Sequence, residues 1–230
     1  MQLVAVAENI WCLEQPLRVP LFGNLGSRMT VIRLQDNALM LISPVKFSKV
    51  VKRELKELGE VKYLIAPNLH HHLHLAHARS AFPQARVYGP SSLQKKRKDI
   101  PFSETLLPGK SFPWNDEIEM VFFPGRGSID EFVFFHRLSR TLIVTDLIFN
   151  IQRGESLLSH FALKMNRGIG LGMTRIGKYI FKDRLVLKQN LKTILAWKPE
   201  HLVVAHGDVV HHETTRRIEA AFEWLSKRNA

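Results

Sequence analysis

An apolar, strand-like run, Tyr63-Leu64-Ile65-Ala66-Pro67, passes into Asn68 and then five histidines within eight residues: His70, His71, His72, His74 and His77. Any fold for this chain must bring that strand end to a place where several imidazoles are useful. Neutral imidazole is the commonest protein ligand for zinc and related ions, so the cluster points to a metal site. Four ligands usually suffice for one ion, so two or three of the five are expected to bind or support it while the rest pack or face water. The competing reading is a histidine-rich surface turn with no ligand role.

The local geometry leaves two arrangements open. If Asn68 caps a helix that begins there, residues 70, 74 and 77 share one face, because positions three and four apart are neighbours. If the helix begins near Leu73, alternate residues converge instead, His70 with His72 or His72 with His74.

Around this stretch the chain alternates strands and helices. Ile10–Leu13, Met29–Leu34 and Ala38–Ile42 read as strands, with Asp36-Asn37 as a hairpin turn between the last two. A helix is expected from about Ser48 to Leu58, with apolar Val50, Val51, Leu55 and Leu58 at helical spacing and Gly59 as its stop. Further strands are read at Val61–Ala66, Ala85–Tyr88, residues 117 to 124, residues 131 to 137 and Thr141–Asp146. Residues 151 to 196 read as mainly helical. Within them Arg167-Gly168-Ile169-Gly170-Leu171-Gly172 follows no strand of a βαβ unit, so it is read as a basic, flexible segment over a cleft rather than a dinucleotide loop. Last come a short strand ending in His206-Gly207-Asp208 and an amphipathic helix carrying Ile218, Ala221, Phe222 and Leu225. Asp146 and His206 each stand just past an apolar strand, where a side chain can reach a cleft.

Composition narrows the chemistry. Cys12 is the one cysteine, so there is no internal disulfide and no thiolate zinc site; His, Asp or Glu must hold any metal. No linker, repeat or low-complexity tract divides the 230 residues, and the expectation is one domain over 1–230. No apolar run is long enough to span a membrane and the start lacks a signal-peptide pattern, so the expected compartment is the cytoplasm. The net charge of +12 favours an anionic small-molecule substrate, with nucleic acid as an alternative partner. Against nucleic acid, Lys95-Lys96-Arg97-Lys98 has no interleaved aromatic residues and no nucleic-acid-binding motif is present. The sequence carries no signal of oligomeric state.

In this order, the strand, histidine cluster, strand-terminal Asp146 and strand-terminal His206-Gly207-Asp208 resemble the metallo-β-lactamase superfamily over nearly the whole chain. Phrases such as Thr30-Val31-Ile32-Arg33-Leu34, Ala66-Pro67-Asn68, Thr141-Leu142-Ile143-Val144-Thr145-Asp146-Leu147 and Ala205-His206-Gly207-Asp208 are similar to its DUF4336 branch. The resemblance implies an α/β fold of αββα type, a four-layer sandwich of two mixed sheets flanked by helices, with metal ligands on loops along one sheet edge. It also implies a metal-dependent hydrolase, in which a metal-activated water attacks an ester, thioester, lactone or phosphoester.

The sequence departs from the superfamily's HxHxDH motif. Read as His72-Leu73-His74-Leu75-Ala76-His77, the motif has Ala76 at its aspartate; registered by distance from the strand, it falls on Asn68, His70, His72 and Leu73. Ser43 stands where an acidic residue is expected, and Arg126 replaces the histidine of a Pro-Gly-His turn. Asp146 matches the bridging aspartate and His206 the final histidine. The resemblance therefore implies one metal ion rather than two, with zinc expected and iron or manganese as alternatives. Its ligands would come from His70, His72, His74 and His77 together with Asp146 and His206. Asp146 and Asp208 are the expected catalytic carboxylates, and His71, Arg126, Glu131 and His136 are expected behind the ligands or against the substrate. The lost ligands keep a third reading open, a catalytically degenerate binding protein.

Overall fold

The structure, a computed structural model, describes residues 2–125, 129–181 and 183–226. In chain order the first half carries β1 (Val4–Ala7), β2 (Ile10–Gln15), the short pair β3 (Arg18–Val19) and β4 (Gly23–Asn24), β5 (Ser27–Arg33), β6 (Ala38–Ile42), α1 (Lys49–Leu58), β7 (Glu60–Ile65), α2 (Leu75–Ala81), β8 (Arg86–Gly89), α3 (Ser91–Lys96) and β9 (Glu104–Thr105). The second half carries β10 (Ile118–Phe123), β11 (Glu131–His136), β12 (Thr141–Val144), β13 (Phe149–Ile151), α4 (Leu157–Met165), β14 (Gly170–Gly172), α5 (Arg175–Ile180), α6 (Arg184–Ala196), β15 (His201–Val204) and α7 (Thr214–Ala221).

The layers follow from the period-two alternation of the strands, which sends neighbouring side chains to opposite faces. In the seven-stranded sheet β1-β2-β5-β6-β7-β8-β9, Val31, Leu39, Leu41 and Leu64 turn outward onto Val51 and Leu55 of α1 and Leu75 and Ala78 of α2. Their neighbours Ile32, Met40, Ile42 and Ile65 turn inward and meet Phe132, Phe134, Ile143 and Val203 of the four-stranded sheet β10-β11-β12-β15. The outer face of that second sheet, Val133, Phe135, Leu142, Val144 and Val204, is covered by Leu187 and Ile194 of α6 and Ile218 of α7. Helix, sheet, sheet and helix form an αββα sandwich, the expected fold class.

Local chemistry sets the element ends. Ser48 caps α1 by accepting from the Val51 N–H, and the β5–β6 hairpin turns through Asn37 at φ +60°. Gly59 ends α1 for a reason other than a left-handed turn: its backbone is extended, and a Cβ there would lie 2.2 Å from the Asn37 carbonyl oxygen. The region 151 to 196 is less helical than its sequence suggests. Gly170–Gly172 forms β14, paired antiparallel with β13, and Gly170 enters it at φ +80°, a left-handed conformation that glycine adopts freely.

Two parallel pairs position the site. β6 runs parallel to β7, and β12 parallel to β15, so each pair delivers both C-terminal ends to one edge of its sheet. Ser43, Asn68 to His71, Asp146 and His206 all follow those ends.

Candidate metal centre

Asn68, fully buried just beyond β7, ties the histidine turn to the segment after β12. Its side-chain oxygen accepts the backbone N–H groups of His70 and His71, each at 2.8 Å, an Asx turn that sets the direction of both rings. Its amide nitrogen donates to Asp146 Oδ2 at 2.8 Å and to Thr145 Oγ1 at 3.1 Å. Glu131, also fully buried, supports the same segment from β11: its two oxygens accept the N–H groups of Thr145 and Asp146, each at 2.7 Å. Burial, and then the adjacent Asp146 charge, push the Glu131 carboxyl upward. Burial would raise Asp146 too, but the His71 and His206 imidazoles against it hold it well below the usual carboxylate range.

His71, Asp146 and His206 form the centre. One donor atom from each lies within 4.8 Å of the others, and both imidazole Nε2 atoms stand 3.5 Å from Asp146 Oδ1. Each ring is held from behind. His71 Nδ1 meets Ser43 Oγ at 2.7 Å, and His206 Nδ1 meets the Gly26 carbonyl at 2.7 Å. A carbonyl only accepts, so His206 carries its proton on Nδ1 and turns Nε2 toward Asp146. Ser43 reaches its partner because it adopts φ +56°, an uncommon left-handed conformation for a residue other than glycine or asparagine. Burial lowers the His71 pKa although Asp146 pulls the other way, favouring the neutral ring that a metal requires.

The other histidines of the run go elsewhere. His70, 52% exposed, has Nδ1 3.8 Å from Asp146 Oδ2, beside the centre but beyond hydrogen-bond length. His72 turns its Nδ1 to the Arg97 guanidinium at 2.9 Å, and burial, then Lys96 and Arg97, push it down to about 4. His74 stands at the N-terminus of α2, its pKa lowered by burial and then by His77 and Lys46. His77 packs edge-on against Phe47, ring centroids 4.7 Å apart. The segment is thus a loop before a helix at Leu75, and adjacent residues rather than alternate ones reach Asp146. His136 lies at the opposite end of β11 from Glu131, with Nδ1 on Ser139 Oγ at 2.7 Å. Asp208 is exposed, and its main chain bonds Asn150 rather than the cluster. Arg126 lies outside the described residues.

Three contributors had little sequence signal. Asn68 reads as a helix cap and Ser43 as a lost acid, yet both orient the centre. Arg28, buried on β5, donates to the carbonyls of Val204 and Gly207 and so clamps the chain on both sides of His206. Standing beside Ser27 at the start of β5, it gave no sequence sign of burial. Gly207, at φ +98°, permits the crossing that follows: a Cβ there would lie 2.1 Å from the Asn150 carbonyl oxygen.

The centre forms part of the wall of a cavity of about 450 Å³. The rest of the wall is largely apolar, including Leu17 and Phe22 from the β3–β4 region, Phe149, and Leu163 and Ile180 from α4 and α5.

A family model described as a domain of unknown function, DUF4336, matches residues 7–163, more than half of the sequence. The chain belongs to the DUF4336 family. No curated protein matches it in sequence. Among solved structures this DUF4336 chain resembles the DIM-1 metallo-β-lactamase at 16% identity and TM-score 0.67, over 96% of this chain and 95% of that one. The metallo-β-lactamase of Hirschia baltica matches at 10% identity and TM-score 0.65, over 100% and 99% of the two chains. The Flv1 flavodiiron core of Synechocystis sp. PCC6803 matches at 12% and 0.68, over all of this chain and 62% of its own. At these identities the likeness establishes the metallo-β-lactamase fold.

Proposed function

We propose that this DUF4336 protein is a metal-dependent hydrolase with one zinc site formed by His71, Asp146 and His206. The observation that carries the reading is His206: its Nδ1–H donates to the Gly26 carbonyl, which leaves Nε2 as the ring atom facing the Asp146 carboxylate at 3.5 Å. Two acceptors aimed at each other are unfavourable unless a cation, metal or proton, stands between them. Two imidazoles and a carboxylate are donors that zinc prefers, and hydrogen bonds from behind each ring are the support that ligating histidines usually have. Iron and manganese accept similar donors and remain outcomes of metal analysis.

One ion fits better than two. Asn68 donates to Asp146 Oδ2, which leaves Oδ1 for the metal, and His72 and His77 are engaged elsewhere. Three protein ligands are fewer than the four zinc usually takes, so an ion held by His71, Asp146 and His206 would have room for water or substrate, and all three residues line the cavity. A bound zinc supplies Lewis acidity there, polarising a carbonyl or phosphoryl oxygen and lowering the pKa of water. The chain's own residues do the rest. Glu131 and Asn68 fix Asp146, Ser43 and Gly26 fix the two rings, and the cavity wall excludes bulk water from the scissile ester, thioester, lactone or phosphoester. His70, half exposed beside Asp146, takes or returns a proton at Nδ1 on the cavity side.

The test is metal analysis of untagged protein, followed by a panel of chromogenic esters and thioesters. About one equivalent of zinc is expected, lost in His71→Ala, Asp146→Asn and His206→Ala. Less than about half an equivalent after reloading would leave the degenerate, ligand-binding reading in its place.

A further inference from the structure

Helix α4 is turned the wrong way round for a surface helix in water. Its buried positions are Ser159 and Leu163, whereas Leu157 (89% exposed), Leu158 (67%), Phe161 (62%) and Met165 face out. A soluble helix normally buries its apolar stripe and shows its polar one. The exposed face continues across its neighbours. Leu21 of the β3–β4 loop shares a shallow depression with Leu158, and the backbone and side chain of Asn166 hold the first turn of α5, where Ile176 and Tyr179 are exposed. Contiguous apolar surface of this kind marks an interaction site.

The charges around it have one sign. Residues 157–180 contain Lys164, Arg167, Arg175 and Lys178 and no aspartate or glutamate. The acid just before them, Glu155, is paired with Arg18. Lys164, Arg167 and Arg175 are exposed, and Lys178 lies over the Trp224 ring at 4.1 Å. Closing this face on a second copy about a two-fold axis would bring like charges together. An anionic lipid surface answers both features, taking apolar side chains at the acyl boundary and cations at the phosphates.

The same helices wall the cavity of the metal centre. Leu163, Asn166, Ile176 and Ile180 line it, and Ile176 is also half exposed, so the outward face and the cavity wall meet at α5.

We propose that the α4–α5 face docks on an anionic lipid bilayer and that the cavity behind it takes the acyl chain of an ester drawn from that surface. The docking stands on its own; the identity of the acyl chain as substrate rests on the hydrolase reading.

Co-sedimentation with vesicles of phosphatidylcholine and phosphatidylglycerol, against phosphatidylcholine alone, tests the docking. The protein is expected to pellet with the anionic vesicles and to be released by salt. Leu157→Ser with Phe161→Ser should abolish the pelleting, and each of Lys164→Glu and Arg175→Glu should weaken it at least about fivefold. All four positions are exposed, so thermal unfolding of the variants should match the parent. Equal pelleting of the serine variant, no pelleting of the parent, or a dimer in sedimentation velocity that the serine variant abolishes in the absence of lipid binding would each overturn the proposal. A pyrene-labelled fatty acid tests the cavity without turnover: saturable binding lost in Ile180→Arg supports it, and binding unchanged by that variant overturns it. Metal content decides the hydrolase reading separately, since neither binding assay needs the ion.

Discussion

Replacing Glu131 by glutamine keeps the size and shape of a fully buried side chain and removes one acceptor from the middle of the network. In the parent, the two carboxyl oxygens take the N–H groups of Thr145 and Asp146 at 2.7 Å each. A glutamine oxygen can keep one of them, and its NH2 then faces the other donor. One backbone N–H and one amide N–H are left buried without acceptors, at about 1–3 kcal/mol each, or about 2–6 kcal/mol together. Part is returned, because the parent carboxyl is itself disfavoured by burial, as its raised pKa records. The expected net loss is about 2–4 kcal/mol, a large share of a typical stability of about 5–15 kcal/mol. Urea unfolding followed by circular dichroism at neutral pH measures it. Zinc affinity of the folded variant should fall about 10–100-fold, because Asp146 loses the backbone clamp that aims it. A stability change below about 0.5 kcal/mol with unchanged zinc affinity would refute the assignment of Glu131 as the support of Asp146.

Isothermal titration with zinc should separate the histidines: His71→Ala abolishes stoichiometric binding, whereas His77→Ala leaves it intact because His77 packs against Phe47. Ser43→Ala frees the His71 ring to rotate, and the same titration should show zinc affinity about 10–100-fold lower with unfolding little changed. Stability should also depend on pH through His136, which burial pushes down to about 4 from 6.5 and whose Nε2 has no hydrogen-bond partner among the described residues. Between those values the unfolded chain binds the proton and the folded chain does not. The His136 contribution is therefore full above about pH 6.5, declines as pH falls toward 4 and is flat below, at most about 3 kcal/mol in all. His136→Gln should flatten that part of the urea-unfolding profile between pH 4 and 7, relative to the parent.

The layers were legible in the sequence because the central strands repeat apolar side chains on both faces, as in Leu39-Met40-Leu41-Ile42, where alternate residues join different cores. A strand apolar on both faces lies between two covered surfaces, and several such strands interleaved with amphipathic helices leave few architectures. Asp146 and His206 stood out for a related reason: a polar residue immediately after such a strand is carried to the sheet edge. Which histidines join them was not legible. The choice depends on the Asn68 turn, which aims His71 inward and leaves His72 to Arg97, and that turn depends on Thr145 and Asp146, 77 and 78 positions away from Asn68 along the chain. Glycine-rich β14 was hidden because its pairing is backbone to backbone and leaves no side-chain period to read.

Asn68 also explains how a chain that departs from the HxHxDH motif can keep a defined centre. It occupies the motif's first position when the sequence is registered from β7, and there it makes hydrogen bonds in place of a coordinate bond. Its oxygen orders the backbone of His70 and His71, while its amide holds Asp146 Oδ2 and directs Oδ1 between the two imidazoles. The same carboxylate cannot then offer both oxygens freely to a pair of ions. On the proposed one-metal reading, the placing of His71, Asp146 and His206 and the reduced capacity for a second ion have a common cause in one fully buried amide.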